Sequence, residues 1–216
     1  MITVCREVAK KLIALNNVFD NEITSNDPLL FPKYRPKKKD RIRISEQESK
    51  ILFANYFLLN KIYFSIEVPT MSSHSFSGES KLSARFDLAT YKANEWHEFD
   101  WIIELKAHNP KDTSIQKDLE KMLASNCNCV WFHTLKNENK ATIPSILGKF
   151  RTSFETLSGQ NKIESSTKLL LIFVVIEQKL LYSTEFQFAK WNKNLPKDRE
   201  KLKKENVMSE IVYETV

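Results

Sequence analysis

Three runs of large apolar residues, FDWIIEL (99–105), CVWFHTL (129–135) and LLLIFVVI (169–176), constrain this chain more than any other feature. Each is strand-length and dominated by β-branched, aromatic and leucine residues, so each reads as a buried strand. The stretches between them carry apolar residues three and four apart instead. After Pro110, TSIQKDLEKMLAS sets Ile115, Leu119, Met122 and Leu123 on one helical face, and Pro144 opens a second helix, SILGKFRTSFETL. Strands alternating with amphipathic helices imply an α/β fold around one mixed sheet.

Upstream, residues 3–19 place Val4, Val8, Leu12, Ile13 and Leu15 near helical spacing. Ser45 followed three residues later by Glu48 is a capping box, which starts the helix ISEQESKILFANYFLLN. KIYFSIEVPT (61–70) predicts a strand, and the polar loop MSSHSFSGES separates it from a second, SARFDLATY (83–91). The short turn KANEW then leads into the strand at 98–108, so these last two form an antiparallel hairpin. KLLLIFVVIEQKLL reads as one further strand and KDREKLKKENV as a charged helix. The expected architecture is a single domain over 1–216. Its appendages are an N-terminal helix with a basic loop (1–44) and a charged C-terminal segment (190–216).

Composition removes several function classes. With three glycines, Gly78, Gly148 and Gly159, the chain cannot form a phosphate loop or a GxGxxG fingerprint. Cys5, Cys127 and Cys129 suit neither a disulfide framework nor a CxxC zinc knuckle, and read as thiols in a reducing compartment. No apolar stretch reaches the roughly 20 residues that span a bilayer. The N-terminus is charged where a signal peptide would be apolar, so a cytoplasmic protein without a membrane partner is expected.

Candidate chemistry begins at the end of the strand FDWIIELKAHNP, where Glu104 and Lys106 stand two apart and project from one face. Glu-x-Lys is common in this chain, at Glu48–Lys50, Glu79–Lys81, Glu138–Lys140 and Glu177–Lys179 as well. Only Glu104–Lys106 ends a buried strand whose hairpin partner carries an acid in apolar surroundings, Asp87 in RFDLATY. On that partner, Asp87 shares a face with Arg85 and Ala89, while Phe86 and Leu88 point the other way. Opposed residues of a hairpin lie about 4.5–5.5 Å apart, which lets Asp87 and Glu104 converge. A salt bridge from Asp87 to Arg85 or Lys106 is the plain alternative. Two convergent carboxylates repel unless a cation joins them. Mg²⁺ takes such hard oxygen ligands and keeps several waters, one of which can attack a phosphodiester. Lys106 would orient that water or offset charge developing on phosphorus. Glu48, at the rim of its helix's buried face, either caps the helix or points toward the site, and Glu46 is expected to face away. His133, mid-strand, reads as a satisfied core histidine, and His108 as a residue within reach of a phosphate.

On these residues the chain resembles the PD-(D/E)xK nucleases, the restriction-endonuclease-like superfamily. The resemblance runs over roughly residues 45–135, with Asp87 in RFDLATY, Glu104 and Lys106 in IIELKA, and Glu48 in the preceding helix. Phe86 stands where the proline of the motif's name would be. The resemblance implies a helix–three strands–helix–strand core and cleavage of DNA with Mg²⁺, or Mn²⁺ in its place. Asp87, Glu104 and Glu48 would be ligands and Lys106 the catalytic ammonium, in restriction, phage defence or transposition. A catalytically inactive nucleic-acid-binding or assembly subunit with the same fold is the alternative. One such site cuts one strand, so a homodimer or a target-selecting partner protein is expected.

The net charge of +6 is unevenly distributed. KYRPKKKDRIR holds Lys33, Arg35, Lys37, Lys38, Lys39, Arg41 and Arg43 against Asp40, immediately before the helix that carries Glu48. It reads either as a solvated loop or as a sequence-independent phosphate contact.

Overall fold

A computed structural model describes residues 1–17, 29, 31–32, 42–75, 81–93, 95–160 and 166–207. Among them, seven strands form one mixed sheet in the order β1-β2-β3-β4-β5-β6-β7. The strands are β1 (Phe64–Ser75), β2 (Lys81–Lys92), β3 (Glu95–Ala107), β4 (Asn128–Leu135), β5 (Lys168–Val175), β6 (Leu180–Gln187) and β7 (Lys203–Asn206). β1–β2–β3 is an antiparallel meander, β3–β4 and β4–β5 are parallel, and β5–β6–β7 is antiparallel again. The two parallel connections cross over through helices α3 (Asp112–Ala124) and α4 (Thr142–Gly159), as parallel strands require. No helix among the described residues is long and apolar enough to cross a membrane.

Period-two alternation along the central strands divides the core into two layers. Ile103, Leu105, Val130, Phe132, Ile172 and Val174 pack with α1 (Ile2–Asn17) and α2 (Glu46–Leu59). Ile102, Trp131, Leu171 and Phe173 pack with α3 and α4 on the other side. Because β4 and β5 are covered on both faces, both read as continuous apolar runs.

Two C-terminal expectations are corrected. The run expected as one strand through Leu181 is a hairpin, because Ile176–Lys179 turn between β5 and β6 with Lys179 at φ 54°. The charged segment expected as a helix holds a 3-10 turn, Arg199–Lys201, and the edge strand β7. There Leu202 is buried and Arg199 bonds Glu138, which also accepts from the Tyr182 hydroxyl at 2.7 Å. Tertiary anchors thus override the helix propensity of a Lys- and Glu-rich stretch.

Candidate active site

The site forms where β2 leaves β3. The hairpin register pairs Leu88 with Ile103, and no pairing follows on the side of Asp87 and Glu104. Past that point the Leu105 N–H lacks a strand partner, and the Asp87 carboxylate supplies one, accepting at 2.9 Å through Oδ2. Strand alternation also breaks here. Phe86 lies in the α3–α4 layer and Leu88 in the α1–α2 layer, so the expectation that both point one way is corrected. On the neighbouring strand Glu67, between the paired residues Ile66 and Val68, adopts φ 51°.

This gap lets side chains from both layers meet. From α2, Lys50 Nζ lies 2.9 Å from Asp87 Oδ1 and also bonds Glu67. From α3, Lys121 Nζ donates to Glu104 Oε1 at 2.6 Å and to the Arg85 carbonyl at 2.9 Å, and lies 2.9 Å from Asp118 Oδ1. Lys106 Nζ is 3.8 Å from Glu104 Oε2 and 3.0 Å from Asp118 Oδ2, the second a contact of charge rather than a directed hydrogen bond. The Lys106 ammonium also lies 5.6 Å from the ring centre of buried Trp131, a favourable cation–π distance.

Glu104 is 2% exposed. Burial first, then the negative field of Asp118, pushes its carboxyl up to about 8, against the pull of Lys121 and Lys106. Burial disfavours the Lys106 ammonium, yet Asp118, Glu104 and Glu46 together hold it above the usual lysine range. Lys121 is raised in the same way: burial opposes, and Glu104 and Asp118 outweigh it. The cluster sets four carboxylates, Glu46, Asp87, Glu104 and Asp118, against three ammonium groups, Lys50, Lys106 and Lys121. With the Glu104 carboxyl holding its proton up to about pH 8, the other three carboxylates balance the three ammonium groups.

The α2 acids exchange the places expected of them. Glu48 completes the capping box, its Oε2 accepting from the Ser45 N–H at 3.1 Å and the Ser45 hydroxyl at 2.7 Å. It belongs to the helix end and makes no contact with the strand carboxylates. Glu46, expected to face away, is the acid that turns inward. Burial first, with Asp87 and Asp118 adding to it, raises its carboxyl against the pull of Lys106. Glu46 and Lys50 are four apart, hence on one helix flank, whereas Glu48 lies half a turn or more away.

Asp118 and Lys121 were missed by sequence reasoning. A signal was present, because Asp118 falls inside the apolar stripe of Ile115, Leu119 and Met122, where an acid must find a partner. His133 is buried and pushed down to about 4, chiefly by burial, and its Nε2 bonds the His108 carbonyl. It is a neutral core residue, as its position suggested. The His108 ring is engaged with the Ile44 carbonyl at 2.7 Å. Of the basic segment, Arg43 is described and exposed, while Lys33, Arg35, Lys37, Lys38, Lys39 and Arg41 lie outside the described residues. A cleft of about 400 Å³ bounded by His108, Asn109, Lys136, Asn139 and Ser145 lies past the strand ends and includes none of the carboxylates.

The donor set suits a hard divalent cation in kind, since it offers carboxylate oxygens. Its oxygens are engaged by lysines, and among the described residues no three His, Cys, Asp or Glu side chains gather as a ready metal site. A cation entering here would have to displace ammonium groups. Compared with models of known families, with curated proteins and with solved structures, the chain matches none.

Proposed function

We propose that this chain is a divalent-metal-dependent nuclease with a restriction-endonuclease-like core, hydrolysing phosphodiester bonds of DNA. The observation that carries the reading is the strand divergence, where the Asp87 carboxylate of β2 accepts from the Leu105 N–H, between Glu104 and Lys106 of β3. Asp87 and Glu104, with Glu46 in place of Glu48, are the oxygens that would hold Mg²⁺ or Mn²⁺. When bound, the ion supplies charge neutralisation at the phosphate and an activated water.

The protein's own groups do the rest. Asp87 is oriented by the Leu105 N–H, which fixes one carboxylate relative to β3. Lys106, held in its charged form by three carboxylates, offers an ammonium to the charge that grows on a phosphoryl group. Lys121 and Lys50 keep Glu104 and Asp87 compensated until a cation arrives. The basic segment 33–43 would position the nucleic-acid backbone. A homodimer or a target-selecting partner protein would supply the second cut.

The ammonium contacts to both strand carboxylates favour a second reading, an inactive DNA-binding or assembly subunit of the same fold. One experiment separates the two: incubation with plasmid and single-stranded DNA in Mg²⁺, in Mn²⁺ and with chelator, beside titration calorimetry with Mg²⁺. Metal-dependent cleavage that disappears in Asp87→Ala and Glu104→Ala supports the nuclease. DNA binding with neither cleavage nor heat of metal binding supports the subunit.

A further inference from the structure

The large apolar side chains left exposed among the described residues all fall within one stretch, 51–66. They are Ile51 (52% exposed), Leu58 (68%), Leu59 (69%), Tyr63 (66%) and Ile66 (55%). Scattered singly, such residues need no explanation, but three on α2, one in the connection after it and one on β1, which α2 meets at Lys50–Glu67, form a coherent surface. On α2, Leu52, Phe53 and Phe57 pack into the core, while Ile51 and Leu58, seven residues apart, share the opposite side. A helix that is apolar on both sides has a second surface to cover.

β1 adds a second kind of valence. It is the edge of the sheet, so Phe64–Ile66 have no neighbouring strand on their outer side among the described residues. Edge strands are normally protected by bulges, proline or charge. On β1 these devices sit late, at Glu67 with φ 51°, at Pro69 and in the broken register between Pro69 and Ser73. The opening residues Phe64–Ile66 have none.

We propose that the outer side of α2 and the leading edge of β1 form a two-fold interface with a second copy of this chain. Chemistry selects this occupant. Lys61 is the one charged residue from 51 to 66, too little for a nucleic-acid backbone or an anionic lipid surface. A two-fold contact buries like against like, helix side on helix side and strand edge on strand edge. Antiparallel pairing centred on Phe64 sets Ile66 of one copy opposite Ile62 of the other, with Lys61 and the Lys50–Glu67 ion pair at the ends of this short apolar seam. The area also suffices. At roughly 150–250 Å² for a large side chain, five that are half to two-thirds exposed offer on the order of 600 Å² per copy. Two copies then bury upwards of about 1,000 Å², the threshold of a specific interface. The contact would join the two sheets edge to edge, with the Lys50–Glu67–Asp87 ion pairs of each copy beside the seam. It stands independently of the nuclease reading.

Sedimentation velocity of the full chain from 1 to 100 µM tests it. The expected result is a dimer forming in the micromolar range, weakened at least tenfold by Leu58→Glu and by Tyr63→Glu, with far-UV circular dichroism unchanged. Ile51→Lys, also at an exposed position, provides a second disrupting variant should either of those lose its fold. A monomer at 100 µM overturns the proposal, as does a dimer indifferent to Leu58→Glu and Ile51→Lys. A monomer that binds anionic vesicles through Leu58 also overturns it, in favour of a lipid surface.

Discussion

Lys121 on α3 reaches across to β3 and donates to Glu104 Oε1 at 2.6 Å, with both residues less than a tenth exposed. A buried ion pair is costly to break from one side, because the remaining charge is left without a partner. Lys121→Met should therefore destabilise the protein by about 3–5 kcal/mol at pH 8. The loss should be smaller at pH 5, where Glu104 takes up a proton. Glu104→Gln in the Lys121→Met background should recover much of the difference. Urea denaturation of the four proteins, wild type included, measures the cycle, and equal losses at both pH values would contradict it.

The raised carboxyl of Glu104 makes stability depend on pH. Its folded value, about 8, exceeds that of an exposed glutamate, so the folded state holds the proton more tightly. That contribution is full below the unfolded value and is lost as pH rises toward 8. His133 acts in the opposite sense: pushed down to about 4, it favours the fold above its ordinary value and loses that contribution as pH falls. Between about 4.5 and 6.5 the two oppose each other. From pH 6.5 to 8 Glu104 acts alone, and the thermal midpoint of chelator-treated protein should fall. Glu104→Gln should remove that fall, and a profile flat in the wild type would refute the assignment.

The two acids of α2 should separate cleanly by mutation. Glu48→Ala removes half of a capping box and should cost about 1 kcal/mol of stability, with DNA cleavage retained. Glu46→Gln should preserve stability and reduce cleavage and metal affinity, because its carboxylate faces Lys106 and Asp87. Thermal melts with a plasmid nicking assay read both. Loss of cleavage in Glu48→Ala at a temperature where it is fully folded would return the role to Glu48.

If the basic segment contacts phosphates, replacing its central lysines should act on every DNA sequence alike. The triple variant Lys37→Gln, Lys38→Gln, Lys39→Gln should flatten the salt dependence of binding by up to about 0.9 per lost contact. With saturating DNA at low salt, cleavage should largely recover, since these residues position rather than react. An unchanged slope in a filter-binding titration would make 33–43 a solvated loop.

Local pattern alone was enough for most elements of this fold and for the nearness of Asp87, Glu104 and Lys106 along the β2–β3 hairpin. Alternation placed Glu104 and Lys106 on one face of β3, and hairpin proximity brought Asp87 to them, because strand geometry is set by neighbours along the chain. Helical spacing likewise foretold α2, α3 and the Ser45–Glu48 cap. What the chain did not disclose locally is what depends on distant partners. Whether Glu46 or Glu48 faces the site follows from how α2 rotates against the sheet, and the cap engages Glu48 first. Asp118 and Lys121 join the cluster only because α3 packs beneath the divergence of β2 from β3, a gap that a strand-by-strand reading of ideal alternation cannot contain. The β5–β6 turn carries no glycine or proline to announce it, and β7 takes its form from pairing with β6. Charged side chains are ambiguous in isolation for the same physical reason. A carboxylate or an ammonium is tolerated in solvent anywhere, and only burial beside a particular counter-charge determines where it must be.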